Sequence, residues 1–255
     1  MIYIFSVFTI LIGLVIGSFL NCLIWRLYKD ETIGGRSYCP KCREQINWYD
    51  NIPVLSFLIL RGKCRYCRKN ISWQYPLVEI TTAILFLLTF LANSQEPQFS
   101  LLILRDWLMI ITLVIVFVYD ARWQLIPMTL IWPMSVVFFI LNICLGFSWI
   151  SLVICGVIAT AFFLIQYIVT KKKGLGEGDI WLGLMLGLGF PSLGQLLLIL
   201  VISYGIGSLV GVALMLFKKQ GAKTKIALGP FLALGAIITL IWGEKIINWY
   251  SSFFY

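Results

Sequence analysis

Apolar runs divide the sequence at about 3–24, 77–92, 101–119, 126–146, 149–169, 180–194, 196–217 and 229–249. Most are close to the ~20 residues that carry a helix across a bilayer. Hydrocarbon offers no water to bond the peptide groups, so runs of this kind satisfy their backbone internally, as helices. Their recurrence excludes a single removable signal segment. The first run also lacks a basic start and a small-residue cleavage site, and is read as a retained span. Charged residues are only 12% of the chain, about half the share in soluble domains. The expected fold is an all-α polytopic membrane protein with about eight transmembrane helices.

Between the first two runs lies the one sizeable polar block, Arg26 to Tyr75. If it is cytoplasmic, alternation of spans puts Arg122, Lys171, Lys172, Lys173, Lys218, Lys219, Lys223 and Lys225 on the same side. That gathers 18 of the 20 basic residues inside and leaves Arg105 and Lys245 outside. Cytoplasmic segments carry such an excess of Lys and Arg, so this orientation is adopted, with both termini outside. It requires a break at Pro191, because a single span over 180–217 would throw the last lysine cluster outward. The net charge of +9 then reflects topology and calls for no nucleic acid. Histidine is absent, which removes Ser-His-Asp and Cys-His catalysis and histidine metal ligation together. Acid–base chemistry falls to carboxylates, Lys, Cys or Tyr.

The same orientation brings two acids to one side. Asp120 ends the third apolar run, and Asp179 opens the sixth, within GLGEGDI at 174–180. Charges at such positions are costly unless paired or used. Two neighbouring carboxylates can hold one proton between them. One can then take a proton from water while its protonated partner polarises a peptide carbonyl, giving amide hydrolysis without a covalent intermediate. The glycines would admit an extended substrate strand. The competing reading makes Asp179 a helix cap and Asp120 a partner of Arg122 or a cap of the next helix; Glu177 is read as solvated. The span after Asp179 is short, since Ile180 to Phe190 covers roughly 16 Å of a core of about 30 Å. Either it continues past Pro191 or it begins deep, beside a wet cavity.

Inside the polar block stand two CxxC knuckles, CPKC at 39–42 and CRYC at 64–67. Cys39, Cys42, Cys64 and Cys67 complete a tetrahedral site suited to structural zinc, with no open position for catalysis; the competing readings are thiol redox activity and an iron centre. A reducing cytoplasm disfavours disulfides here, and so small a block draws much of its folding free energy from the metal. Cys22, Cys144 and Cys155 lie in apolar runs and are read as packing residues. Glu79 opens the second span, and Asp50-Asn51-Ile52-Pro53 reads as a turn. The expected organisation is a first helix over 1–25, a zinc-binding domain over 26–76 and a seven-helix membrane domain over 77–255. GxxxG spacing at Gly183 and Gly187, and at Gly207 and Gly211, suits close helix packing.

GSFLNCLIWRL at 17–27, the paired knuckles, DNIPVLSFLILRGKC at 50–64, YPLVE at 75–79, DARWQLIP at 120–127, GLGEGD at 174–179 and LGPFLALG at 228–235 resemble, in this order, the bacterial prepilin peptidases, or type IV leader peptidases. The resemblance implies an intramembrane aspartyl protease of the GxGD class, with Gly176, Gly178 and Asp179 matching the motif and Asp120 as the other catalytic acid. It implies cleavage of the basic leader of prepilins and pseudopilins at the cytoplasmic face of the bacterial inner membrane. Methylation of the new N-terminus by S-adenosylmethionine would follow, with Glu79, Asn21 and Asp50 binding the amine or the methyl donor. Tyr28 and Met128 depart from the family's usual residues, and neither is a proposed catalytic carboxylate. A transporter with a carboxylate pair should show an internal repeat, which the halves do not display. A zinc-knuckle scaffold would work without the aspartates.

Overall fold

The computed structural model describes residues 2–94, 98–171, 174–218 and 227–253. Of the lysines placed inside by the charge argument, Lys172, Lys173, Lys219, Lys223 and Lys225 lie outside the described residues. The helices are α1 (Ile2–Lys29), α2 (Leu55–Ile59), α3 (Gln74–Asn93), α4 (Phe99–Trp123), α5 (Met128–Cys144), α6 (Trp149–Val169), α7 (Glu177–Gly189), α8 (Leu193–Lys218) and α9 (Gly229–Ser251). Each of the eight expected apolar runs overlaps one of these helices; the run at 126–146 is helical only over Met128–Cys144, and the run at 180–194 is cut at Pro191, where α7 ends at Gly189 and α8 begins at Leu193. Among the described residues, six helices, α1, α3, α4, α6, α8 and α9, are long and apolar enough to cross a membrane, and α5 is a shorter apolar helix. Apart from the isolated bridges Tyr38–Gln45 and Lys63–Asn70, the described residues pair no strands.

The chain packs as two units, Met1–Gln95 and Glu96–Tyr255. In the first, α1 and α3 pack through glycine. A Cβ on Gly13 would lie 2.5 Å from Ala83 Cα, and one on Gly17 would lie 2.6 Å from Glu79 Cα. Small residues of this kind let two backbones touch. At the end of α1 the buried Arg26 guanidinium donates to the carbonyls of Thr32 (3.2 Å), Ile33, Gly34 (2.7 Å), Gly35 (3.0 Å) and Arg36 (3.1 Å), folding the following loop around the charge.

In the second unit the core is built from Met109 and Leu113 of α4, Phe138 of α5, Phe163 of α6, Leu182 of α7 and Leu232 of α9. Helix α7 has 13 residues, about 20 Å at the α-helical rise, so it ends well short of a full crossing. The last carbonyls of a helix lack intrahelical partners. Here the buried Asn142 of α5 supplies them, its Nδ2 donating to Leu188 O (2.9 Å) and Gly189 O (3.1 Å). Arg105 of α4 donates to Asn142 Oδ1 (3.3 Å) and through Nε and Nη2 to Asp106 Oδ1 (2.8 and 2.6 Å). Ser151 Oγ of α6 donates to Pro191 O (2.9 Å). The α6–α7 contact is also a glycine contact, since a Cβ on Gly187 would stand 2.5 Å from Cys155 O and one on Gly183 would stand 2.4 Å from Phe163 Cδ2.

Candidate active site

Three helix ends converge on the two aspartates. Asp120 lies in the last turn of α4, which stops where Gln124 adopts a left-handed conformation (φ 54°) and returns its N–H to Asp120 O. Asp179 is the third residue of α7, and Gly229 is the first of α9. Both carboxylates are buried, 5% and 7% exposed, and Asp120 lies within Coulombic reach of Asp179.

Each carboxylate is fixed by one backbone amide. Gly229 N–H donates to Asp120 Oδ2 at 2.8 Å, and Gly176 N–H donates to Asp179 Oδ2 at 3.0 Å. A carboxylate is disfavoured at a helix C-terminus and favoured at an N-terminus. Asp120 therefore sits badly on its own helix, and the leading amide of α9 compensates. Asp179 closes half of a capping box, its N-cap residue Gly176 having no side chain. No other hydrogen bond from the described residues reaches Asp120 or Asp179 Oδ1. Arg122, the alternative partner for Asp120, lies over Trp123 instead, 5.4 Å from the ring centroid.

The motif glycines differ in what the fold demands of them. A Cβ on Gly178 would stand 2.8 Å from Ile126 Cβ, so this glycine lets the start of α7 press against the loop after α4. Gly176 is exposed, and a Cβ there would meet nothing closer than Asp179 Oδ2 at 3.6 Å. Gly229, to which sequence reasoning gave no role, is the tightest of the three: its Cβ would stand 2.4 Å from Asp120 Oδ2. The available signal was a glycine directly before Pro230, where a helix begins with a bare amide. Tyr204 of α8 was also missed; it donates to Gln166 Oε1 (2.8 Å) and lies within electrostatic reach of Asp179. Glu177, read as solvated, is exposed but accepts the Tyr167 hydroxyl at 2.6 Å.

In the first unit the four knuckle cysteines converge, their Sγ atoms all within 4.8 Å of one another. Sulfurs on a tetrahedron of ~2.3 Å zinc bonds lie about 3.8 Å apart, so the cluster fits such an ion. The knuckles repeat one another. Arg43 N–H returns to Cys39 O and Arg68 N–H to Cys64 O, with left-handed φ of 61° and 59° at the two arginines. Burial alone would raise the Cys64 thiol, but the amides of Cys67 and Tyr66 and the thiols of Cys39 and Cys67 bring it down to about 7. At Cys42 the Glu44 amide favours the thiolate, yet burial and the Cys39 and Cys67 thiols push it up to about 11. Of the other cysteines, Cys155 is buried as expected and Cys22 is half-buried. Cys144 is exposed at the end of α5 rather than packed.

The three residues considered for methyl transfer are all engaged. Asn21 Nδ2 donates to Gly17 O (3.2 Å) and Tyr75 O (3.1 Å), and its Oδ1 accepts from Gln74 (3.2 Å). Glu79 Oε2 accepts Val54 N–H at 2.8 Å. Asp50 forms a forked ion pair with Arg65, at 2.8 and 2.6 Å.

Comparison with known families matches residues 11–93 to the bacterial peptidase A24 N-terminal domain and residues 107–216 to the type IV leader peptidase family. Relatives named prepilin leader peptidase/N-methyltransferase include one from Pseudomonas aeruginosa, 31% identical over 98% of this chain and 94% of its own. Another, from Aeromonas hydrophila, is 32% identical over 96% and 93%. An Escherichia coli protein named type 4 prepilin-like proteins leader peptide-processing enzyme is 32% identical over 89% of this chain and 90% of its own. No solved structure matches.

Proposed function

Because the chain belongs to the type IV leader peptidase family, we propose that it is a prepilin peptidase that hydrolyses the leader of prepilins or pseudopilins with Asp120 and Asp179 as its acid–base pair. The observation that carries this reading is the matched pair of buried carboxylates, each held by one backbone amide at Oδ2 with no such bond at Oδ1. One carboxylate, ionised, takes a proton from water; the other, protonated, donates to the scissile carbonyl oxygen. The water oxygen adds to the carbonyl carbon. The tetrahedral species then collapses with proton transfer to the leaving amine, and the pair returns to its shared-proton state. Fixing Oδ2 orients each carboxyl without exhausting it.

The site lies on the cytoplasmic side of the bacterial inner membrane and both termini lie outside, a placement supported by the lysine and arginine bias. Residues 26–76 form the cytoplasmic zinc domain and the later helices carry the protease site. A zinc ion would be held by Cys39, Cys42, Cys64 and Cys67, and would stabilise that domain without entering the chemistry. S-adenosylmethionine finds no comparable fit. Asn21, Glu79 and Asp50 already hold contacts of the fold, so methyl transfer is proposed on the relatives' names and no step is assigned to these residues.

The test is digestion of a purified prepilin in detergent, followed by mass spectrometry, with wild type, Asp120→Asn and Asp179→Asn, each checked for zinc and thermal unfolding. Loss of an acid–base group typically costs about 10²–10⁴-fold, and a loss of that order is expected for both variants with folding intact. Unimpaired cleavage by either would overturn the dyad. Omitting the methyl donor separates cleavage from methylation.

A further inference from the structure

The polar block between α1 and α3 contains an apolar segment, Ile52-Pro53-Val54-Leu55-Ser56-Phe57-Leu58-Ile59-Leu60, and its depth can be fixed within the first unit. Helix α3 has 20 residues, about 30 Å, which equals the hydrocarbon thickness of a bilayer. Gln74, its first residue, therefore stands at one boundary. Helix α1 is held in register beside it, with Asn21 level with Tyr75, Gly17 with Glu79 and Gly13 with Ala83. Glu79 is five residues past Gln74, roughly 7.5 Å inside the boundary.

The segment is pinned at that level by two bonds. Val54 N–H donates to Glu79 Oε2 at 2.8 Å, and Ser18 Oγ reaches Asn51 O at 3.5 Å. The chain reverses on either side of α2, since Val54 has φ 60°, Arg61 has φ 50° and Gly62 has φ 67°. A positive φ is a genuine outlier for a β-branched residue, and at Val54 the Glu79 bond holds it. Within α2, Phe57 turns inward against Trp73, with ring centroids 4.9 Å apart. Leu55, Leu58 and Ile59 turn outward, 51%, 63% and 66% exposed. Charge returns immediately after the segment, with exposed Arg61 and Lys63, and Trp48 and Trp73 flank it, both exposed.

We propose that α2 is a membrane-interfacial anchor, with Leu55, Leu58 and Ile59 in the acyl region of the leaflet next to Gln74 and with Arg61 and Lys63 at the lipid phosphates. The occupant of this apolar face is lipid for two reasons. The face lies at the same depth as the lipid-facing Leu77 and Ile80 of α3, which are likewise exposed, so the membrane surface of the hairpin continues onto it. Its rim also carries the pattern of an interfacial segment, aromatic and cationic side chains around an apolar centre. The second knuckle of the four-cysteine cluster begins at Cys64, only a few residues on, so the cluster is thereby fastened against the membrane. The inference depends on α1 and α3 spanning the bilayer and not on the protease reading.

The test uses the full chain, zinc loaded, in vesicles of phosphatidylethanolamine and phosphatidylglycerol, with the photoreactive residue benzoylphenylalanine placed singly at Leu58, Ile59, Ile84 and Glu44. Ile84 is an exposed position along α3 and Glu44 an exposed position in the knuckle region. After illumination, mass spectrometry counts lipid adducts on protein that retains its zinc. The expected result is an adduct yield at Leu58 or Ile59 matching that at Ile84 and several-fold above that at Glu44. A yield no higher than at Glu44, or adducts to protein alone, would overturn the proposal. Leu58 and Ile59 are tested separately so that a folding defect at one leaves the other to decide.

Discussion

A methyl group at position 229 would stand 2.4 Å from Asp120 Oδ2, 3.0 Å from its Cγ and 3.2 Å from its Cβ. The whole carboxyl would have to move, and with it the bond from Gly229 N–H that fixes it. Displacements of about 1 Å in a catalytic group can cost roughly 10²-fold in rate. Gly229→Ala is therefore expected to lower kcat for prepilin cleavage by about that factor, measured beside an unchanged zinc content. Gly176→Ala should behave differently, because the nearest atom to its Cβ is 3.6 Å away. Its melting temperature is expected to match wild type, so a loss of cleavage would report a change at the site, at the Asp179 bond or in contact with the substrate, rather than a folding defect. The aspartates and cysteines were legible in the sequence because charge and thiol pairs stand out in apolar surroundings. Gly229 was not, because its requirement comes from a partner 109 residues away in the chain.

Helix α7 is short, and both its ends are held by side chains: Asp179 on Gly176 N–H at the start, and Asn142 on the last carbonyls. The sequence announced the break through Pro191, and the six membrane-length helices through the length of their apolar runs. It did not announce the clamp, since Arg105, Asp106 and Asn142 come from two different helices and share no local pattern. Nor did it announce α2, whose five residues are too few for a period to develop. The clamp makes a prediction. Asn142→Leu keeps the branch at Cγ but puts bulkier methyls in place of the amide, stripping the Leu188 and Gly189 carbonyls of their donor, and a buried polar group costs about 1–3 kcal/mol when left unsatisfied. The variant is expected to unfold at lower temperature. It should also cleave more slowly, since a straight helix transmits the loss from Gly189 to Asp179. A melting curve and a cleavage rate indistinguishable from wild type would show that α7 is held without this clamp.

The division of the chain into Met1–Gln95 and Glu96–Tyr255 was not legible, because hydropathy counts spans without saying which helix packs on which. α3 reads as one more span, yet it joins α1 through Gly13 and Gly17 and shares a unit with the cysteine cluster. Two compact units, one of them built around a thiolate site, need not unfold together. Ligand thiolates must be deprotonated, and structural zinc contributes on the order of 10 kcal/mol or more to the folding of small domains. Cys42→Ser, or a strong chelator in detergent, is therefore expected to open the segment between α1 and α3 to proteases while the helical signal of the second unit persists to its own, higher transition. The cuts should fall in 30–72, and the fragment beginning near 96 should remain resistant. A single transition shared by both units, or cuts spread evenly over the chain, would mean that the metal stabilises the whole molecule rather than the unit that holds it.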